Sequence, residues 1–202
     1  MKLSGIPGTY DAIFSLGENC TPSLQLRKLN LRPFSGVFDW MVSELTDVNK
    51  VLENRFAGFM QLPNLKAIGM DYAGGNFLVM DKKYRLIAGH DFPERHNTIF
   101  NLSSYPEYRA KLDRRIYRTL HYMMHGQSLL FVRTDASFEE AQELERVLNK
   151  VISYDYRVLI INHVNYDVIE ELDWPLEKIC AVQCYSLNPA SWETLLRDVK
   201  VR

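Results

Sequence analysis

The stretch SLGENCTPS (15–23) places Cys20 after a run of β-type residues, Tyr10-Asp11-Ala12-Ile13-Phe14, and before a helix-like segment. Free amides and the dipole at a helix start favour a negative charge, and a thiolate is such a charge. Gly17 lets the backbone approach closely. The amides around Gly17, Asn19 and Cys20 are placed to stabilise an oxyanion. The chemistry implied is nucleophilic attack by sulfur on a carbonyl. The competing reading is a structural cysteine at a tight turn.

A nucleophilic thiol needs a base. Of the five histidines, His90 ends a strand-like segment in AGHDFP and is followed by Asp91. His163 ends another, in IINHVN, and is the second choice. His96 lies in a loop, and His121 and His125 on a long helix. A third group should orient the imidazole. Asp39, between Phe38 and Trp40, is the first candidate, because a carboxylate among large apolar residues is either buried and paired or at a cleft. Asp91 and Asp135 are alternatives. Adjacent strand residues face opposite ways, so Asp91 can serve His90 only if the strand has already ended.

Other signals are weaker. HYMMH sets His121 and His125 one helical turn apart but lacks the glutamate of the zinc-protease motif and a third ligand, so no metal is expected. Cys180 and Cys184 share a strand face about 13 Å apart, too far to bridge or chelate, and are expected in the core. The glycines fit neither phosphate-loop nor dinucleotide fingerprints, and no cofactor is expected. Arg114, Arg115 and Arg118 read as a solvated helix face before they read as a binding surface for an acidic group.

These residues must be positioned by a fold. A chain of 202 residues, 47% apolar and 24% charged, suits one soluble globular domain. A net charge of −1 removes a global electrostatic case for nucleic acid or anionic membrane as partner. No segment approaches the length of a membrane span, and the N-terminus has no apolar stretch of signal-peptide length. Three irregularly spaced cysteines do not form a disulfide framework; a cytoplasmic location is expected.

The pattern predicts a strand at 10–16 and a helix at 21–29 that ends at Arg32-Pro33. A helix capped at Thr46-Asp47 should run to about 56. Residues 60–75 read as loop. NFLVMD and KYRLIAGH should form a hairpin joined at Lys82-Lys83. Residues 105–125 are strongly helical by spacing. Strands are expected at 128–133, 156–162 and 178–185, a helix from the Ser137–Glu140 capping box to about 152, a helical turn near 167–171, and a last helix from Asn188-Pro189. Apolar strands alternating with amphipathic helices imply an α/β fold, a mainly parallel sheet covered on both faces, with the hairpin inserted.

The series YDAIFSLGENCTPSLQLRKLNLR, FSGVFDW, GHDFP, YRAKLDRRIYRTL and LLFVR resembles a family described as papain-like cysteine peptidases, seen in bacteria and large DNA viruses. The resemblance runs from about residue 10 to 162. It implies a thiol nucleophile at Cys20 and a histidine at His90, and singles out Asp39, Trp40 and the strand-end Arg133. The last third departs from the papain pattern, because its βαβ units are parallel; a different α/β arrangement is expected, with Cys20 at a strand-to-helix turn.

The resulting expectation is a cysteine-dependent hydrolase or acyltransferase acting on a peptide or small acyl substrate, an amide or (thio)ester. Cys20, His90 and Asp39 carry the reaction, and Gly17, Asn19, Trp40, Asp91 and Arg133 line the site. The alternative is a binding protein on the same scaffold, with Phe34, Phe38 and Trp40 lining a recognition cleft.

Overall fold

The computed structural model describes residues 1–166 and 168–202. In chain order the elements are β1 (Gly8–Tyr10), β2 (Ala12–Ser15), α1 (Thr21–Lys28), β3 (Met41–Val42), α2 (Leu45–Glu53), β4 (Leu65–Asp71), β5 (Asn76–Asp81), β6 (Ile87–Ala88), α3 (Tyr105–His125), β7 (Ser128–Thr134), α4 (Phe138–Val151), β8 (Asp155–His163), β9 (Ile169–Glu171), β10 (Ile179–Cys184), α5 (Pro189–Leu195) and β11 (Val199–Val201). The fold is α/β, as expected.

A five-stranded sheet in the order β2-β7-β8-β10-β9 organises the chain. Its first four strands are parallel, and β9 runs antiparallel at the edge. Alternation along these strands divides the core in two. Phe14, Leu129, Phe131, Val158 and Ile160 face α2, α3 and α4. Ile13, Leu130, Val132, Leu159 and Ile161 face α1 and α5, together with Cys180 and Cys184. With both faces covered, these strands carry near-continuous apolar runs. A second sheet, β3-β6-β5-β4, is antiparallel and belongs to the long excursion between β2 and β7.

Three local expectations are corrected. Residues 65–71 are a strand, not loop: β4 pairs with β5, with a register shift between Ala67 and Gly69. Its half-exposed faces blur the alternation that identifies a strand. The helix expected to be capped at Thr46-Asp47 is capped instead at Glu44, two residues before Thr46, and Asp47 turns to Lys50 and Arg85. Of the helical turn read near 167–171, Asp167 lies outside the described residues, and Ile169–Glu171 are a strand whose backbone pairs with β10. The β5–β6 pairing bears out the inserted hairpin. Among the described residues no helix is long and apolar enough to cross a membrane.

Candidate active site

The chain leaves β2 into α1 on one face of the sheet and leaves β7 into α4 on the other. Neighbouring strands whose helices part in this way open a crevice beyond their carboxyl ends, where α/β sheets bind ligands. A cavity of about 230 Å³ lies there, lined by Glu18, Asn19 and Thr21 after β2, Asp135 after β7, His163 at the end of β8, and Ser186 after β10.

Cys20 stands between two of those residues, as the N-cap of α1. It is partly exposed, whereas Cys180 and Cys184 are buried. Burial pushes the Cys180 thiol up to about 12. The turn that carries Cys20 is tightly held. Asn19 Oδ1 accepts the Thr21 N–H at 2.7 Å, and the Asn19 amide donates to Glu18. Gly17 has φ +81°, and a Cβ there would meet Ser43 Oγ at 2.8 Å, so glycine is required on both counts.

Arg133 does not line the crevice. It is 1% exposed, and its guanidinium donates to the Leu16 carbonyl at 2.9 Å, the Ser43 carbonyl at 2.7 Å and Ser43 Oγ at 3.0 Å. Ser43 Oγ also accepts the Glu18 N–H at 3.3 Å, and the Ser43 N–H donates back to the Glu18 carbonyl at 3.0 Å. Arg133 therefore fastens the Cys20 turn to the segment before α2 from beneath. The expectation that it binds ligand is replaced by this positioning role; burial pulls its pKa down to about 10.

Glu18 and Asp135 adopt left-handed backbone, φ 72° and 51°, on two sides of the cavity. Six further non-glycine residues among those described, such as Asn30 and Met60, share this conformation away from the cavity, so it belongs to the turns and does not by itself mark the site. Burial, and then repulsion from Asp135, raise the Glu18 carboxyl above its usual 4.5. Folding therefore favours the protonated form, and its stabilising effect fades as pH rises through 4.5 and the raised folded value. Glu18→Gln should raise the urea midpoint at pH 7 and leave it unchanged near pH 3, a difference two denaturation curves would reveal.

The 39–43 segment links Cys20 to His90. Ser23 Oγ lies 3.2 Å from the Cys20 carbonyl and 3.0 Å from that of Asp39. Met41 pairs with Ala88 across β3 and β6, and the Gly89 N–H reaches the Trp40 carbonyl at 3.4 Å. His90 follows, its ring edge-on to Trp40 at 5.4 Å. Ser23, in the first turn after Cys20, and Gly89, next to His90, thus both bond the backbone of 39–40, and no hydrogen bond joins Cys20 to His90 among the described residues. β6 ends at Ala88, so Asp91 is free of strand alternation and shares two cavities with His90.

Asp39 does not reach the imidazole by a hydrogen bond. Its carboxylate takes the Arg32 guanidinium and, at 2.8 Å, the Gly36 N–H. It closes the 32–39 turn, as a buried acid flanked by Phe38 and Trp40 can. Burial still holds its carboxyl above the usual range, against the pull of Arg32.

His163, the second choice as base, is held on three sides by polar groups. Its Nδ1 lies 2.9 Å from Ser186 Oγ and its Nε2 3.1 Å from Asn165 Oδ1, while Asp135 Oδ1 accepts its backbone N–H at 2.7 Å. The signal was its position at the carboxyl end of a parallel strand, the same signal that located Cys20. Rings of His121 and His125 approach to 4.9 Å, and no group of three or more metal-ligating side chains gathers among the described residues.

Residues 11–165 match the profile of a family described as "Putative papain-like cysteine peptidase". An uncharacterized protein of Acanthamoeba polyphaga mimivirus is 26% identical over 184 residues, covering 81% of this chain and 82% of its own length. No solved structure matches the chain.

Proposed function

Since the chain belongs to this family of papain-like cysteine peptidases, we propose that it is a cysteine hydrolase with Cys20 as nucleophile and His90 as acid–base. One observation carries the assignment: Cys20 alone of the three thiols is open to solvent, and it stands at the helix start beside the crevice of the sheet. Cys180 and Cys184 are sealed between the sheet and α5.

In the proposed reaction the Cys20 proton passes to His90 and the sulfur attacks the substrate carbonyl carbon. The Asn19 and Cys20 N–H groups stabilise the oxyanion in this scheme, since the Thr21 N–H is held by Asn19 and Pro22 has none. His90 returns the proton to the leaving group, and water then hydrolyses the acyl-enzyme with His90 as base. Asp91, which shares the imidazole's cavities, takes the orienting role in place of Asp39. Catalytic contacts often tighten only when substrate is bound, so an unmade hydrogen bond in the free enzyme fits this scheme. The substrate class is an amide, peptide or (thio)ester.

A second base is favoured by one feature: His163 lines the same cavity as the two neighbours of Cys20. Alkylation by iodoacetamide separates the two. Its rate at Cys20 should exceed that of a free thiol at pH 7 and should fall in His90→Ala. A rate that falls only in His163→Ala transfers the base to His163. A thiol that is inert until denaturation overturns the hydrolase.

A further inference from the structure

Arg114, Arg115 and Arg118 lie close together on α3, and the fold sends them to two places. Arg115 lines the cavity of Trp40, His90 and Asp91. Arg114 and Arg118 line a larger one, of about 650 Å³, which shares no wall residue with the crevice beside Cys20. That volume suits a small organic molecule better than a lone ion. Arg114, Tyr117, Arg118 and His121 recur at three- and four-residue spacing, so they form one stripe of the helix. Tyr108, Leu112, Thr119 and Met123 of the same helix are buried in the core. Phe34 and Tyr122 complete the wall, and none of these wall residues is buried.

The wall is mostly rings. Tyr117 stacks on His121 at 6.3 Å between centroids and 19° between planes, yet it is 74% exposed, so its other face is open. Phe34 stacks on Tyr122 at 5.6 Å. The Arg118 guanidinium lies over the Phe34 ring at 4.6 Å. A cation held by a ring face keeps its in-plane N–H donors for another partner. Neither Arg114 nor Arg118 forms a salt bridge among the described residues, and Asp113, the acid in this wall, is taken by Arg109. Two uncompensated guanidinium groups therefore stand beside an open aromatic face. A phosphate monoester, with a charge of about −1.5 to −2 at neutral pH, balances two such cations, and a single carboxylate does not.

We propose that this cavity binds an aromatic phosphate monoester of nucleotide size. Its ring stacks on Tyr117, and its phosphate takes the forks of Arg114 and Arg118. Stacking accepts any flat ring, so selection falls mainly on charge. The site stands apart from the chemistry proposed at Cys20 and needs none of it.

The test titrates the whole chain with adenosine 5′-monophosphate, adenosine and ribose 5-phosphate, read by calorimetry and by amide chemical shifts of residues 114–121. The nucleotide should bind saturably and at least about tenfold more tightly than either of its halves. Tyr117→Ala should weaken it about tenfold, the effect of losing one stacked base, and should leave ribose 5-phosphate unchanged. Arg118→Gln should weaken it about tenfold, the effect of a hydrogen bond to a charged acceptor, and should leave adenosine unchanged. Neither side chain is in the core, so the melting temperature of each variant should hold. No saturable binding of the nucleotide, equal binding of nucleotide and ribose 5-phosphate, or unchanged affinity in either variant would each overturn the proposal. A short single-stranded RNA that binds about a hundredfold more tightly than the nucleotide would also overturn it, and would make this face a strand-binding surface. Binding is read without turnover, so an inert Cys20 defeats the hydrolase and leaves this result standing.

Discussion

Arg133→Met should cost about 2–4 kcal/mol of folding stability, read from urea denaturation, and should loosen the Cys20 turn before the sheet. The side chain of methionine fills much of the same channel but donates nothing. The Leu16 and Ser43 carbonyls then lose the guanidinium, while Ser43 Oγ keeps only the Glu18 N–H. Orphaned buried acceptors cost about 1–3 kcal/mol each. Relief of the buried charge returns part of this, since no carboxylate forms a salt bridge to Arg133 among the described residues and none is stranded by its removal. Lysine is a poor substitute, because an ammonium cannot reproduce the planar fork that reaches two backbone carbonyls at once. Loss of stability below about 1 kcal/mol would mean that the turn is held by its own hydrogen bonds and that Arg133 adds little.

The second large effect lies beyond the family-matched span. Trp192, in α5, is completely buried and donates its indole N–H to the Ser186 carbonyl at 2.8 Å. It packs in the core that joins Ile13, Leu26, Leu130 and Leu159. Trp192→Ala should cost about 3–5 kcal/mol, the usual range for removing a large aromatic from a core. Thermal and urea melts would both register it. The substitution also removes the donor that fixes Ser186, a wall of the crevice. His163, whose ring lies against Ser186, should therefore change its environment, and its ring resonances report that directly. The C-terminal segment is thus a working part of the fold, for β10 pairs with β8 in the main sheet although the family match ends at residue 165.

Legibility from sequence followed the strength of the physical pattern. The helix expected at 105–125 is α3, and the Ser137–Glu140 box opens α4 with both reciprocal hydrogen bonds in place. Long amphipathic periods and caps are local signals, and they survive tertiary packing. The three apolar runs of the last third are β7, β8 and β10, because strands buried on both faces cannot be anything but apolar. β4 and β9 were missed for the opposite reason: half-exposed edge segments obey pairing more than patterning. At the site, the strand-to-helix position of Cys20 was legible from its neighbours. The roles of Asp39 and Arg133 were not. Whether a charged side chain faces a ligand or a backbone carbonyl depends on segments distant in sequence, such as the Ser43 turn that Arg133 grips from across the chain.

The pairing of β2 with β7 joins Ala12 to Leu129, and that long reach has a kinetic consequence. The β7–α4–β8 unit closes over a short span and can nucleate early. The β2–β7 contact must instead close a loop of more than a hundred residues, an entropic cost met before any reward from the contact itself. The crevice beside Cys20 takes Glu18, Asn19 and Thr21 from the chain after β2 and its other walls from the ends of β7, β8 and β10, so it should be completed late in refolding, when β2 docks.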